Sequence, residues 1–194
     1  MYRQAQMATD AQMRGPQVTF AWPSDETVPA YVHDRDSVLH ARQSFSDLLD
    51  VILDNWRGQI FVVAHSLGAF LVMETLVQRS LRGRDASVDL DGLALLQPDI
   101  ALDVFSEQIR MIGKTPQVSH VVASVADPAL RVSARVSQAA ERVGSYTDES
   151  YYTDLGLRLI DVSSIQDART PHLVAFSSPT FLSFLRQISN QTST

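Results

Sequence analysis

The stretch FVVAHSLGAF (61–70) carries the residues most suited to chemistry, because a serine interrupts an apolar run just where a second one begins. Ala64 and Gly68 flank Ser66 two positions away on each side, which resembles the G-x-S-x-G pattern of a nucleophilic serine on a sharp strand-to-helix turn. The Leu67 N–H, at the start of the following helix, is then a candidate donor to a developing oxyanion. The alternative is that Ser66 only caps that helix.

A nucleophilic serine needs a base, and the base needs an acid that orients it. Among five histidines, His172 is the best placed, since it lies in the loop after the last predicted strand. Asp127 follows one predicted strand and Asp99 follows the strand before it, so either carboxylate is a candidate acid. Each of them can instead simply cap the helix that comes next. Along the chain the three candidates therefore come in the order nucleophile (Ser66), acid (Asp127) and base (His172).

Short apolar runs alternate with amphipathic or apolar segments along the whole chain, and this alternation predicts the elements that must position these residues. An alternation of strands and helices indicates one α/β domain, with a mostly parallel sheet of about five strands and helices on both faces. Ligands of such sheets bind at the carboxyl ends of the strands, where all the candidates lie. The predicted strands are 17–22, 59–64, 92–97, 118–125 and 157–162, and the predicted helices are 1–16, 37–56, 67–81, 100–112, 128–143 and 179–188.

Composition excludes several classes of function. The 194 residues are 45% hydrophobic and 20% charged, as expected of a chain with a real core, and the net charge of −6 argues against a nucleic-acid partner. The absence of cysteine excludes disulfides and thiolate chemistry. No apolar run is long enough for a transmembrane segment and no signal peptide is evident, so the chain as it stands is expected to be cytoplasmic.

Several motifs together resemble the alpha/beta-hydrolase superfamily, and most of all one bacterial branch of it. That branch has a WPS loop, a tyrosine and an aspartate soon after it, and an A-H-S-[LM]-G elbow. The matching residues here are Trp22–Ser24, Tyr31, Asp34 and Ala64–Gly68, and the resemblance extends over about 2–186. Read without the resemblance, Asp34 fits a solvated loop or a cap for the next helix.

The resemblance implies a serine hydrolase of esters, thioesters or amides that acts on a small-molecule acyl substrate and needs no cofactor or metal. By position it implies Ser66 as nucleophile, Asp127 as acid and His172 as base. Trp22 and Tyr31 are weaker candidates for lining an acyl pocket, because aromatic rings offer large apolar contact areas. For Trp22 the alternative is that the ring only packs under its own loop.

One expected segment has no counterpart in the sequence. In the superfamily a strand ending in a His-Gly pair precedes the first helix, and its loop supplies the second oxyanion N–H. The expectation is therefore a single hydrolase domain that is N-terminally truncated. The alternative is an impaired enzyme or a non-catalytic binding domain on a hydrolase fold, since losing one oxyanion donor costs about 10²–10³ in rate.

Overall fold

A computed structural model describes residues 2–10, 12, 15–24, 30–136, 141–165, 178–180 and 182–183. The chain forms two compact units, and the larger one, Trp22–Asp161, contains the sheet. The other unit combines Met1–Ala21 with Val162–Thr194. Helix α1 (Tyr2–Asp10) lies in this second unit and ends earlier than the predicted boundary at 16, since Gln12 has a positive φ of 52°.

The sheet of the larger unit has four parallel strands in chain order: β1 (Phe61–His65), β2 (Gly92–Leu96), β3 (Val118–Ala123) and β4 (Arg158–Asp161). Burial explains the apolar runs of the central strands β2 and β3, because parallel strands that are covered on both faces have few positions for polar side chains. The outer strands β1 and β4 are partly exposed. Residues His65, Leu96 and Val122 are aligned across the first three strands. The loops that follow these strands therefore meet at one edge of the sheet.

Helices cover both faces of this sheet. Helix α3 is the most buried of them, and it packs against α2, α5 and strand β1. Its apolar residues on nearly all sides match this central place. The helices of the unit are α2 (Tyr31–Asn55), α3 (Leu67–Leu81), α4 (Ala86–Asp89), α5 (Leu102–Ile112), α6 (Pro128–Val136) and α7 (Glu149–Asp154), with a 3₁₀ turn at Val143–Ser145.

The predicted α/β class and parallel sheet are confirmed, but the described residues form four strands rather than about five. Residues 17–22 are described and do not form a strand, although their apolar pattern predicts one. Strand identity depends on backbone pairing with a neighbour, which a pattern of six residues does not encode. Four of the predicted strands are present with ends shifted by no more than two residues: 59–64, 92–97, 118–125 and 157–162.

Two further predicted helix boundaries were wrong. Helix α2 begins at Tyr31 rather than near Ser37, so Asp34 lies in its first turn and is buried instead of solvated. Helix α6 ends at Val136 in the described residues, whereas the prediction continued it to 143. The reason is tertiary, because Arg142 pairs with Ala101 in an antiparallel bridge and cannot continue a helix. The predicted last helix is described only at its start, where the Leu182 N–H donates to the Ser178 carbonyl.

Candidate functional site

Ser66 occupies a strained turn between β1 and α3. Its backbone has φ 53° and ψ −124°, a combination outside the regions that residues with a Cβ normally adopt. Such a conformation costs about 1–3 kcal/mol and persists only when surrounding bonds impose it. Here the Ser66 N–H donates to the Leu96 carbonyl over 3.0 Å, and the Ser66 carbonyl accepts from Ala69 at 3.0 Å and from Asp99 at 3.3 Å.

The Ser66 side chain does not cap the helix that follows it. No hydrogen bond joins its hydroxyl to the N–H groups of the first turn of α3. The side chain is half-buried, so it is neither lost in the core nor freely solvated. The alternative that Ser66 is present as a capping residue therefore has no support in the geometry, and the strain has no explanation in helix capping.

Small residues around the turn allow close packing. Ala64 is buried at the end of β1, and a Cβ added to Gly68 would lie 3.3 Å from Cη2 of Trp22. The Trp22 ring thus lies directly against the first turn of α3. Its indole N–H is buried and has no acceptor among the described residues.

Leu67 is the first residue of α3, and the N–H groups of a first helical turn have no intrahelical acceptor. Within the described part of the chain, no backbone acceptor is recorded for the Leu67 N–H. The N–H adjoins the serine and lies at the positive end of the helix dipole. It therefore has the chemistry that an oxyanion donor requires.

Asp127 lies after β3 and is fully buried. Its Oδ1 accepts from the N–H groups of Ala129 at 2.9 Å and Leu130 at 3.4 Å, so it caps α6. Its Oδ2 accepts from the Gln97 side-chain amide at 2.7 Å. Each carboxylate oxygen has two lone pairs, so one aspartate can cap a helix through one oxygen and accept bonds from other side chains through the second. The capping role and a role as catalytic acid are therefore compatible.

Asp99 is buried and makes different contacts. Its Oδ1 accepts from the Ser133 hydroxyl at 2.7 Å and lies 3.2 Å from the Arg142 Nε, whose side chain is only 1% exposed. Arg142 also donates to the Ser133 carbonyl at 3.2 Å. Asp99 does not cap α5, where Ala101 stands at the N-cap. The carboxylate thus forms a buried ion pair with Arg142, and its bond from Ser133 ties the loop after β2 to α6.

Tyr31 lies near this ion pair, at the start of α2. Burial raises the pKa of the Tyr31 hydroxyl, and the negative charge of Asp99 raises it further, against the opposing effect of Arg35 and Arg142. The Arg35 guanidinium in turn stacks over the Phe70 ring, 4.6 Å from its centre. Tyr31 therefore remains a neutral phenol at neutral pH and lies near the loop after β2.

His172 lies outside the described residues. The described part of the site brings together the loops after β1, β2 and β3 through the bonds of Ser66, Asp99 and Asp127. Within that part, no group of three or more histidine, aspartate or glutamate side chains is arranged to hold a metal ion. None of the described helices has the length and apolar character needed to cross a bilayer.

Sequence reasoning missed Gln97, which follows β2 directly and is fully buried. It donates to Asp127 and has a positive φ of 45°. An uncharged side-chain amide is not a group that acts as nucleophile, acid or base, and the residue that Gln97 contacts, Asp127, is distant in sequence. The one available signal was its position, since a polar residue at the end of an apolar strand is placed at the ligand edge.

The fold is of the alpha/beta-hydrolase class. It has a parallel sheet between helices, a strained serine at the turn from β1 to α3, and an aspartate after β3. The chain belongs to the family described as alpha/beta hydrolase of unknown function (DUF900), which matches residues 1–190. Comparison with curated proteins and with solved structures gave no match.

Proposed function

We propose that this chain is a serine hydrolase that cleaves ester, thioester or amide bonds of a small-molecule acyl substrate through an acyl-enzyme on Ser66. The observation that carries the proposal is the strained backbone of Ser66, whose side chain makes no capping bond. Strain of this kind is typical of functional sites, because it aims a reactive group that ordinary geometry would turn away.

In the proposed reaction the Ser66 hydroxyl oxygen attacks the acyl carbon while His172 takes the hydroxyl proton. His172 then gives that proton to the leaving group, and Asp127 stabilises the imidazolium in between. His172 then takes a proton from a water molecule, whose oxygen attacks the acyl carbon. The bond to the Ser66 Oγ breaks, the carboxylic acid leaves, and His172 returns the proton to the Oγ. The Leu67 N–H supports the negative charge that develops on the acyl oxygen.

The first experiment is covalent labelling with a fluorophosphonate probe, which reacts with activated serines. We expect the wild-type protein to be labelled on one site and Ser66→Ala to remain unlabelled. Ser44→Ala, in the exposed middle of α2, is the matched control and should label like the wild type. Labelling that persists in Ser66→Ala rules out the assignment, and a folded wild type that never reacts favours a non-catalytic binding domain.

The second experiment separates the two roles of Asp127. Asparagine caps helices about as well as aspartate, so Asp127→Asn should keep the fold. It cannot stabilise an imidazolium, and the corresponding change in a serine protease lowers kcat about 10⁴-fold. We expect a comparable loss of hydrolysis of p-nitrophenyl esters in Asp127→Asn. Activity close to that of the wild type would show that Asp127 is only a cap.

A further inference from the structure

We propose that Gln97 is a positioning residue, which holds the carboxylate of Asp127 in the orientation that the catalytic histidine needs. The inference rests on the proposed function, since it assigns a role within the same site. Gln97 does not touch substrate in this account. It acts on the reaction through Asp127 alone.

The contact between the two side chains is short and dry. The Gln97 Nε2 lies 2.7 Å from the Asp127 Oδ2, and both residues have 0% of their surface exposed. An ionised carboxylate only accepts hydrogen bonds, so the amide nitrogen must be the atom that faces it. Because solvent does not reach either residue, bulk water cannot take the place of the lost donor when the amide is removed or shortened.

The two Asp127 oxygens are held by different elements. The N–H groups of α6 hold Oδ1, while the Gln97 amide holds Oδ2. With donors on both oxygens, the carboxylate plane cannot rotate about the Cβ–Cγ bond without breaking a hydrogen bond. Loss of the amide removes the short contact that orients Oδ2, so the direction of the lone pair offered to the histidine changes.

The backbone of Gln97 is held in an unfavourable conformation. Its φ of 45° is one that glycine and asparagine adopt more easily than glutamine does. The Gln97 N–H donates to the Val122 carbonyl at 2.8 Å, and Gly144 packs so closely that a Cβ there would lie 2.7 Å from the Pro98 nitrogen. Backbone preference therefore does not account for a glutamine here, whereas the reach of its side chain to Asp127 does.

The same short segment also holds the nucleophile turn. Two residues after Gln97, the Asp99 N–H donates to the Ser66 carbonyl. The segment 97–99 thus contacts the turn of the proposed nucleophile through its backbone and the proposed acid through a side chain. A shorter side chain at position 97 should therefore change the position of Asp127 relative to Ser66 more than it changes the fold.

The first test is Gln97→Asn, which keeps the amide and suits the positive φ but is one methylene too short to reach Asp127. Positional errors of about 1 Å in a catalytic group cost on the order of 10² in rate. We expect kcat for p-nitrophenyl butyrate, and the rate of fluorophosphonate labelling, to fall about 10²-fold with KM nearly unchanged. Activity within a few fold of the wild type overturns the inference.

Gln108 offers a matched control, because it is another buried glutamine whose Nε2 donates to a carboxylate at 2.7 Å. It lies in α5 and bonds to Glu74 of α3, away from Ser66 along that helix. Gln108→Asn should lower stability through the loss of a comparable bond but leave kcat within a few fold. If both variants lose activity equally, Gln97 is merely structural and the proposal is wrong.

The second test is Gln97→Glu, which preserves size and shape and therefore serves even if the shorter variant does not fold. While protonated, the introduced carboxylic acid can donate to Asp127 Oδ2 as the amide did. Once ionised it repels Asp127, because two adjacent carboxylates disfavour a second charge. We expect kcat/KM to decline with rising pH over a range in which the wild type is level. A profile parallel to that of the wild type contradicts the proposal.

Failure of the inference differs from failure of the proposed function. If Ser66→Ala abolishes labelling but both Gln97 variants behave like the wild type, only the positioning role is overturned. If labelling persists in Ser66→Ala, or the wild type never reacts, the serine assignment is wrong and the role of Gln97 falls with it.

Discussion

Replacing Ser66 with glycine should stabilise the protein relative to replacing it with alanine. The backbone at Ser66 has φ 53°, which a residue with a Cβ adopts at a cost of about 1–3 kcal/mol. Glycine is free of that cost but loses about 0.5–1 kcal/mol more chain entropy on folding. The balance is a free energy of unfolding about 1 kcal/mol higher for Ser66→Gly than for Ser66→Ala.

The same pair of substitutions at Ser44 provides the control, because Ser44 is exposed in the middle of α2. In an ordinary helix, glycine is less stable than alanine by about 1 kcal/mol. The sign of the difference between glycine and alanine should therefore reverse between the two serines. Neither Ser66 variant retains the hydroxyl, so the comparison is independent of catalysis.

Urea denaturation followed by tryptophan fluorescence measures the difference at both positions. In a thermal scan, 1 kcal/mol corresponds to about 2–4 °C for a protein of this size. If Ser66→Gly is less stable than Ser66→Ala, by an amount like that at Ser44, the turn is not strained. The main structural support for a nucleophile at Ser66 would then be lost.

Three further predictions concern stability, and denaturation measures each of them. Gly144→Ala should destabilise the fold by about 3 kcal/mol or more, because the new Cβ would overlap the backbone of Gln97; a loss below about 1 kcal/mol contradicts this packing. Arg142→Leu should lower the free energy of unfolding by about 3–5 kcal/mol, since it leaves the buried Asp99 charge without the Arg142 guanidinium. A variant as stable as the wild type would refute this pairing. Burial lowers the pKa of His120, and the nearby positive charge of Arg158 lowers it further, so the unfolded chain binds a proton at this histidine more readily than the folded chain does. The free energy of unfolding should therefore fall as pH drops below about 6.5, and it should fall less steeply in His120→Leu.

The central strands β2 and β3 were predictable because each is a short and largely buried apolar run, and β1 and β4 carry apolar runs although they are partly exposed. The run at 17–22 has a similar character, yet it does not form a strand. Pairing with a neighbour decides such cases, and that information lies elsewhere in the chain. The early start of α2 was missed for a related reason, since a buried Asp34 depends on contacts that local polarity does not reveal.

The proposed nucleophile and acid were predictable because they follow strands of a parallel sheet, at the edge where ligands bind. Ser66 and Asp127 also belong to chemical types that attract attention at such positions. Gln97 is neither a nucleophile nor an acid, and the residue that it contacts, Asp127, lies 30 positions away in the sequence. Its role follows only from a buried contact between two loops, which no local pattern encodes.

The most direct test of the central claim is to trap the acyl-enzyme. The protein is mixed with p-nitrophenyl acetate, quenched in acid, digested and analysed by peptide mass spectrometry. We expect a burst of p-nitrophenol close to the enzyme concentration and an acetyl group on the peptide that contains Ser66. Turnover without that adduct, or an adduct that remains in Ser66→Ala, would contradict the claim that Ser66 is the nucleophile.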